Sequence, residues 1–182
     1  SDFRDFIESV DTMYLGLPAT QRRNVGKARV QGVESDWRWQ ATRSLNVYGS
    51  ASYLHATDRV TNRPLPSIAT LSGLMGVQYV GPNEAYAVSG ELQWAKGQSR
   101  YDERREYPAA GFGVVNLYAQ LQLDKLGLPQ AGNTQAVLGI SNLFDRAYRS
   151  AATASNVNYA MTDQNPLLQP GRSFNLTLRT RF

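Results

Sequence analysis

The feature that most constrains this chain is apolar–polar alternation with a period of two, repeated in segments of about ten residues. At the C-terminus Phe174, Leu176, Leu178, Thr180 and Phe182 occupy one phase, and Ser173, Asn175, Thr177, Arg179 and Arg181 the other. Successive side chains on a strand point to opposite faces, so such a segment has one greasy and one hydrophilic face. Tyr86, Val88, Gly90, Leu92 and Trp94 alternate with Ala87, Ser89, Glu91, Gln93 and Ala95 in the same way. So do Val115, Leu117, Ala119, Leu121 and Leu123 with Asn116, Tyr118, Gln120 and Gln122. Helical spacing is weak nearly everywhere.

Weaker alternation extends the set to eight predicted strands, at about 2–11, 24–40, 45–56, 68–80, 85–95, 111–124, 134–142 and 172–182. The gaps between them alternate strictly. Those at 41–44, 81–84 and 125–133 are short, and those at 12–23, 57–67, 96–110 and 143–171 are long. Short turns on one side and long loops on the other mark an antiparallel outer-membrane meander. A soluble sandwich would share the strand pattern, burying its apolar face against a second sheet. Strand length argues for the membrane: several segments exceed ten residues, where soluble strands average five or six and tilted membrane strands need about 9–11. Aromatic residues agree, because Trp37, Trp39, Trp94, Tyr53, Tyr79, Tyr86 and Phe182 fall near segment ends, as interfacial girdles do.

Composition narrows the chemistry. The 182 residues include no Cys, which removes disulfide scaffolds, thiolate metal sites and cysteine nucleophiles together. A mean hydropathy of −0.42 is compatible with a barrel, whose strands are apolar on one face only. The longest apolar or Gly run, Ala109–Val115, is far short of the roughly 20 residues of a spanning helix. The sequence pI of about 9.5 invites a nucleic-acid reading, yet the net charge is only +4 and the basic residues are scattered. A polybasic groove would be more one-sided, so no nucleic-acid partner is expected.

At Gly139–Tyr148 the chain reads GISNLFDRAY, and at Pro170–Phe174 it reads PGRSF, leading to a terminal Phe182. This resembles the C-terminal end of the TonB-dependent outer-membrane receptors, whose last strands carry such segments and whose final aromatic residue serves as an assembly signal. Asp5-Phe6-Ile7-Glu8, and Asn24 with Val30-Gln31-Gly32-Val33-Glu34, are similar to an upstream strand pair of that family, and Pro66 before the Leu71–Tyr79 strand fits as well. The resemblance implies an all-β fold, an antiparallel transmembrane β-barrel segment of about eight strands out of 22, in a Gram-negative outer membrane. Residues 1–182 would then be one C-terminal part of the barrel domain. The family's N-terminal plug, and the segment that contacts TonB, would lie outside this chain. The implied function is uptake of a scarce metal or metal chelate (ferric siderophore, haem or copper), with no enzymatic activity and no resident cofactor. Expected partners are the chelate, the TonB system through the missing N-terminal region, and lipopolysaccharide and outer-membrane lipid. Two other readings stay open: a free-standing eight-stranded outer-membrane barrel with a structural or adhesion role, and a soluble β-domain.

Individual residues say less. His55 could form a hydrolase-like set with Ser50 or Ser52 and Asp58, but alternate residues of one strand face opposite sides, so no catalytic residue is assigned. A rim histidine touching a chelate or solvent is the better expectation. Met13, Met75, Met161 and His55 would suit copper(I) only if the fold gathered them. The segment Ala110–Val114 (AGFGV) resembles copper-type members, which is a weak hint, and no ligand or metal residue is assigned. The mixed-charge stretch Lys96–Tyr107 reads either as a site for lipopolysaccharide phosphate or an anionic chelate, or as a solvated loop in which Asp102, Glu103 and Glu106 balance Arg100, Arg104 and Arg105. Gly139, Asn142, Asp145, Gly171 and Arg172 are expected to shape turns rather than bind ligand; Arg172 alone has the chemistry to hold a carboxylate or phosphate at the rim.

Overall fold

The computed structural model describes residues 2–4, 7–24, 26–103, 106–152 and 168–181. Eleven strands lie among them: β1 (Asp2–Arg4), β2 (Ile7–Tyr14), β3 (Leu17–Asn24), β4 (Lys27–Gln40), β5 (Leu45–Asp58), β6 (Arg63–Pro64), β7 (Leu71–Val80), β8 (Tyr86–Ala95), β9 (Phe112–Gln122), β10 (Asn133–Ser141) and β11 (Ser173–Arg181). Eight of these form one sheet in the order β1-β4-β5-β7-β8-β9-β10-β11, with the short β6 added on β5. Every pairing is antiparallel, and the path follows chain order, passing over the β2-β3 hairpin between β1 and β4 and over β6 between β5 and β7. Among the described residues the ends of the path, β1 and β11, do not pair, and the sheet is an open arc of barrel wall.

The register puts the apolar phases of β4, β5 and β7 to β11 on one surface. Val77 lies opposite Val47 and Gly90, Gly90 opposite Leu117, Leu117 opposite Ile140, and Ile140 opposite Phe174. A one-residue slip anywhere would turn one strand's apolar set inward, so the pattern holds the register. This outer face is exposed: Val33, Met75, Leu92, Leu138, Leu176 and Leu178 retain 42–71% of their accessible surface. Large apolar patches of this extent need a partner, and for a barrel wall the partner is hydrocarbon. The aromatic residues fall at its two margins. Trp39, Tyr79 and Tyr86 lie toward the short-turn end, with Tyr79 and Tyr86 in ring contact at 6.2 Å; Tyr53 and Trp94 lie toward the long loops. Phe182 lies outside the described residues.

The alternation of short and long connections holds for 41–44, 81–85 and 123–132 against 59–70, 96–111 and 142–172. The first expected loop does not. Residues 12–23 are largely strand: β2 and β3 form a hairpin closed by Leu15-Gly16, both at positive φ (50° and 78°). A two-residue turn with both residues left-handed matches strand twist and fixes the Tyr14–Leu17 register. Leucine at the first turn position hides that turn from a residue-type reading. The strand expected at 2–11 is therefore split between β1, which pairs with β4, and the hairpin. The strand expected from 68 starts at Leu71, and β5 runs on to Asp58, its last two residues paired with Ala28 and Arg29 on one side and with Arg63 and Pro64 on the other.

Candidate functional site

The inner face carries the polar phases. Glu34, Asp36 and Arg38 of β4, Ser50 and Ser52 of β5, Ser72 of β7 and Glu91 and Gln93 of β8 all stand on it, placed there by the same register that puts Val33 and Trp37 outside. Ser52 donates to Glu34 (3.4 Å), and the Tyr48 hydroxyl donates to Glu91 Oε1 (2.6 Å) across three strands. Glu34, Asp36, Ser50, Ser52, Ser72 and Gln93 border a cavity of about 450 Å³, roofed by Ser150 and Ala152 of the last long loop. Its lining offers hydroxyl, amide and carboxylate groups and no cation. It can hold a polar or positively charged guest.

The loops at this end fold over the mouth. Leu65 of loop 59–70 is buried on Ala28 and Ala56, two inward residues of β4 and β5. In the stretch expected to be either an anion site or a solvated loop, the described charges of Arg100, Asp102 and Glu106 are engaged within the protein. Asp102 is 6% exposed and pairs with Arg63 at 3.1 Å; Glu106 is 2% exposed and accepts the Ser67 N–H at 2.9 Å. Arg100 donates to the Ala56 carbonyl and to Thr57 Oγ1, and the Gln98 side chain bridges Ile68 and Ala109. The charges are spent joining loops 59–70 and 96–111 to the rim, while Arg104 and Arg105 lie outside the described residues. Arg149 extends the plate by donating to the carbonyls of Tyr107 and Pro108. The Tyr148 ring lies against Phe112, centroids 4.4 Å apart and tilted by 40°, and burial holds its phenol pKa above the usual value, so it stays protonated. Replacing Arg100 by Ala removes two hydrogen bonds from a partly buried site, worth roughly 1–3 kcal/mol of local opening. The expected result is about tenfold or faster cleavage within 96–111 by a dilute protease, with unchanged urea unfolding of the barrel.

The GISNLFDRAY and PGRSF segments act as expected, as turn chemistry. Asn142 is 4% exposed at φ 52°; its N–H donates to Asn116 Oδ1, its amide group donates to the Arg146 carbonyl, and its Oδ1 accepts the Arg146 N–H, each at 2.9 Å. Asp145 Oδ1 accepts the Arg172 N–H at 2.8 Å, tying the two ends of loop 142–172 together. A Cβ at Gly171 would come within 2.6 Å of that carboxylate, and one at Gly139 within 2.6 Å of the Asn175 amide. Arg172 donates to the Leu143 carbonyl, so its guanidinium serves the loop base.

His55 stands on the outer phase, opposite Gln31 and beside exposed Tyr53, whereas Ser50 and Ser52 point inward. The hydrolase-like set is not assembled, and His55 does not face the cavity. Asp58 instead caps the turn that follows β5, accepting from Val60 N, Thr61 N and the Thr61 hydroxyl. Met13 is near the hairpin tip, Met75 is in mid-β7 on the outer face, and Met161 lies outside the described residues, so these and His55 are not gathered. No group of three or more His, Cys, Asp or Glu that could hold a metal occurs among the described residues. Sequence reasoning missed the cavity. Its signal was present in the inward phases, but which of them meet under loop 142–172 depends on the register of four strands.

The family model "TonB dependent receptor-like, beta-barrel" matches residues 1–143. The chain belongs to the TonB-dependent receptor-like β-barrel family. The family is one of receptor barrels of the bacterial outer membrane. Solved structures of such barrels have the same fold. The "Copper transporter OprC" superposes with a TM-score of 0.78 at 23% identity, covering 97% of this chain and 27% of that one. A mutant of the ferric enterobactin receptor PfeA from Pseudomonas aeruginosa gives 0.65 at 18% identity, covering 97% and 27%. The ferripyoverdine receptor of the Pseudomonas aeruginosa outer membrane gives 0.59 at 13%, covering 97% and 23%. The chain thus spans about a quarter of the length of these receptors. No curated protein sequence matches it.

Proposed function

We propose that residues 1–182 are the C-terminal part of the barrel domain of a TonB-dependent receptor that imports a scarce metal or metal chelate, a ferric siderophore, haem or copper. The observation that carries this is the split wall: a continuous apolar face outside, and inside a polar face with a cavity of about 450 Å³ beneath loops gathered at one rim. The solved structures of similar fold are named for copper and for ferric chelates, which supports that class of cargo. In this reading the loops face outward, the short turns face the periplasm, and the TonB system acts through parts of the receptor outside this chain. Lipopolysaccharide would meet the outer-leaflet half of the apolar face. The alternative of a free-standing eight-stranded barrel is disfavoured because the family model matches most of this chain, and the receptor barrels of the same fold are about four times its length.

The test is uptake by the full-length receptor in cells lacking their own metal receptors. Copper, haem and ferric siderophores are supplied separately, with and without a protonophore. The expected result is at least tenfold accumulation of one cargo class that disappears when the membrane is de-energised. Uptake of none of them, or uptake indifferent to energy, would remove the receptor reading.

A further inference from the structure

The outer face is not uniformly smooth. Two rows of cross-strand neighbours, Val77-Gly90-Leu117-Ile140-Phe174 and Tyr79-Val88-Ala119-Leu138-Leu176, border an apolar groove of about 840 Å³. Its depth comes from small residues between larger ones. Gly90 sits between Val77 and Leu117, and Ala119 between Val88 and Leu138. Spanning five strands at about 4.8 Å spacing, the groove is roughly 19 Å long. Because barrel strands tilt by about 35–45°, it climbs obliquely, leaving the short-turn margin at Tyr79 and reaching mid-strand at Leu138 and Leu176.

Charged residues of both signs lie in the turns that adjoin its low end. Lys125 of turn 123–132 reaches across to the Asn83 carbonyl at 3.0 Å, and exposed Glu84 follows Asn83. Arg43 lies in the adjoining turn, held beside β7 by the bond from Val80 N to the Ser44 carbonyl, and Asp124 precedes Lys125. A groove whose floor is apolar, whose volume lies in the range of small-molecule sites and whose low end adjoins turns that carry both a cation and a carboxylate fits a molecule with a long hydrocarbon chain and a zwitterionic head. Family membership puts this face in hydrocarbon, so an acyl chain meets the groove rather than water. Lying in a recess, that chain gains dispersion contacts on three sides where the smooth face offers one.

We propose that this groove holds a resident phospholipid of the inner, periplasm-facing leaflet, one with a phosphate and a primary ammonium in its head, the phosphate at Lys125 and the ammonium at Glu84. The proposal rests on the membrane orientation given under the proposed function and is independent of the cargo. Its test uses the full-length receptor purified in mild detergent, its lipids counted by native mass spectrometry, then stripped and offered phosphatidylethanolamine or phosphatidylglycerol. Expected are about one phosphatidylethanolamine per barrel and at least fivefold weaker retention of phosphatidylglycerol. Gly90→Leu, or Ala119→Leu if the first folds poorly, fills the floor and lowers that occupancy at least fivefold. Heat-modifiable electrophoretic mobility reports in parallel that the barrel has formed, so loss of the lipid is told apart from loss of the barrel, and metal uptake reports the receptor reading separately. A stripped wild type that takes up no lipid, equal retention of the two lipids, or equal occupancy in the filled variants overturns the proposal. So does a dimer that Gly90→Leu abolishes, which would make a second copy the occupant.

Discussion

Leu178→Arg in the full-length receptor is expected to destabilise the barrel by about 2–4 kcal/mol, the cost of a cation near the middle of the lipid face. Thr177→Arg, one residue away, is expected to change stability by less than about 0.5 kcal/mol, as surface substitutions do. The contrast follows from the register. Leu178 lies opposite Ala136 and keeps 63% of its surface on the outer face, while Thr177 lies opposite Val137 on the inner phase that also holds Arg179. An added arginine there can reach water. Urea midpoints of the two variants in lipid vesicles make the measurement. Equal losses would refute the assignment of faces, on which both the receptor reading and the lipid groove depend.

Gly76→Ala should destabilise, although alanine in place of glycine in a strand ordinarily stabilises by roughly 0.5–1 kcal/mol. Gly76 lies opposite Tyr48, and the Tyr48 ring occupies the space a methyl group would need. Displacing the ring also pulls its hydroxyl from Glu91. Overpacking of this kind costs about 1–3 kcal/mol. Gly90→Ala is the control, because an added Cβ there meets only Leu117 at 3.4 Å; it should be neutral or mildly stabilising. If both substitutions stabilise equally, the aromatic ring over Gly76 is not a packing constraint. Outer-face Gly49 and Gly73 repeat the arrangement, with Trp37 at 2.7 Å and Trp94 at 2.8 Å from the added atom. Glycines opposite aromatic residues are thus a recurrent joint of this wall, on both faces.

Alternation alone was enough to place seven of the strands and both faces of the wall, because a strand's side-chain period is two whatever surrounds it. The alternation of gap lengths likewise told which end carries the loops, since chain connectivity has to alternate between the two rims of a meander. The GISNLFDRAY and PGRSF segments announced a turn, and local hydrogen bonds of Asn142 and Asp145 deliver it. Long-range contacts decided the rest. The Leu15-Gly16 hairpin escaped notice because its turn is set by backbone twist, with no residue-type cue at the first position. The role of the charged stretch 96–107 stayed open because its partners, Arg63, Ser67, Ala56 and Thr57, are distant in sequence and meet it only once β5, β7 and β8 are side by side. The cavity and the groove are likewise sums over four or five strands. A sequence fixes which way each side chain points along its own strand; which side chains share a surface is fixed by register, and only the assembled sheet has one.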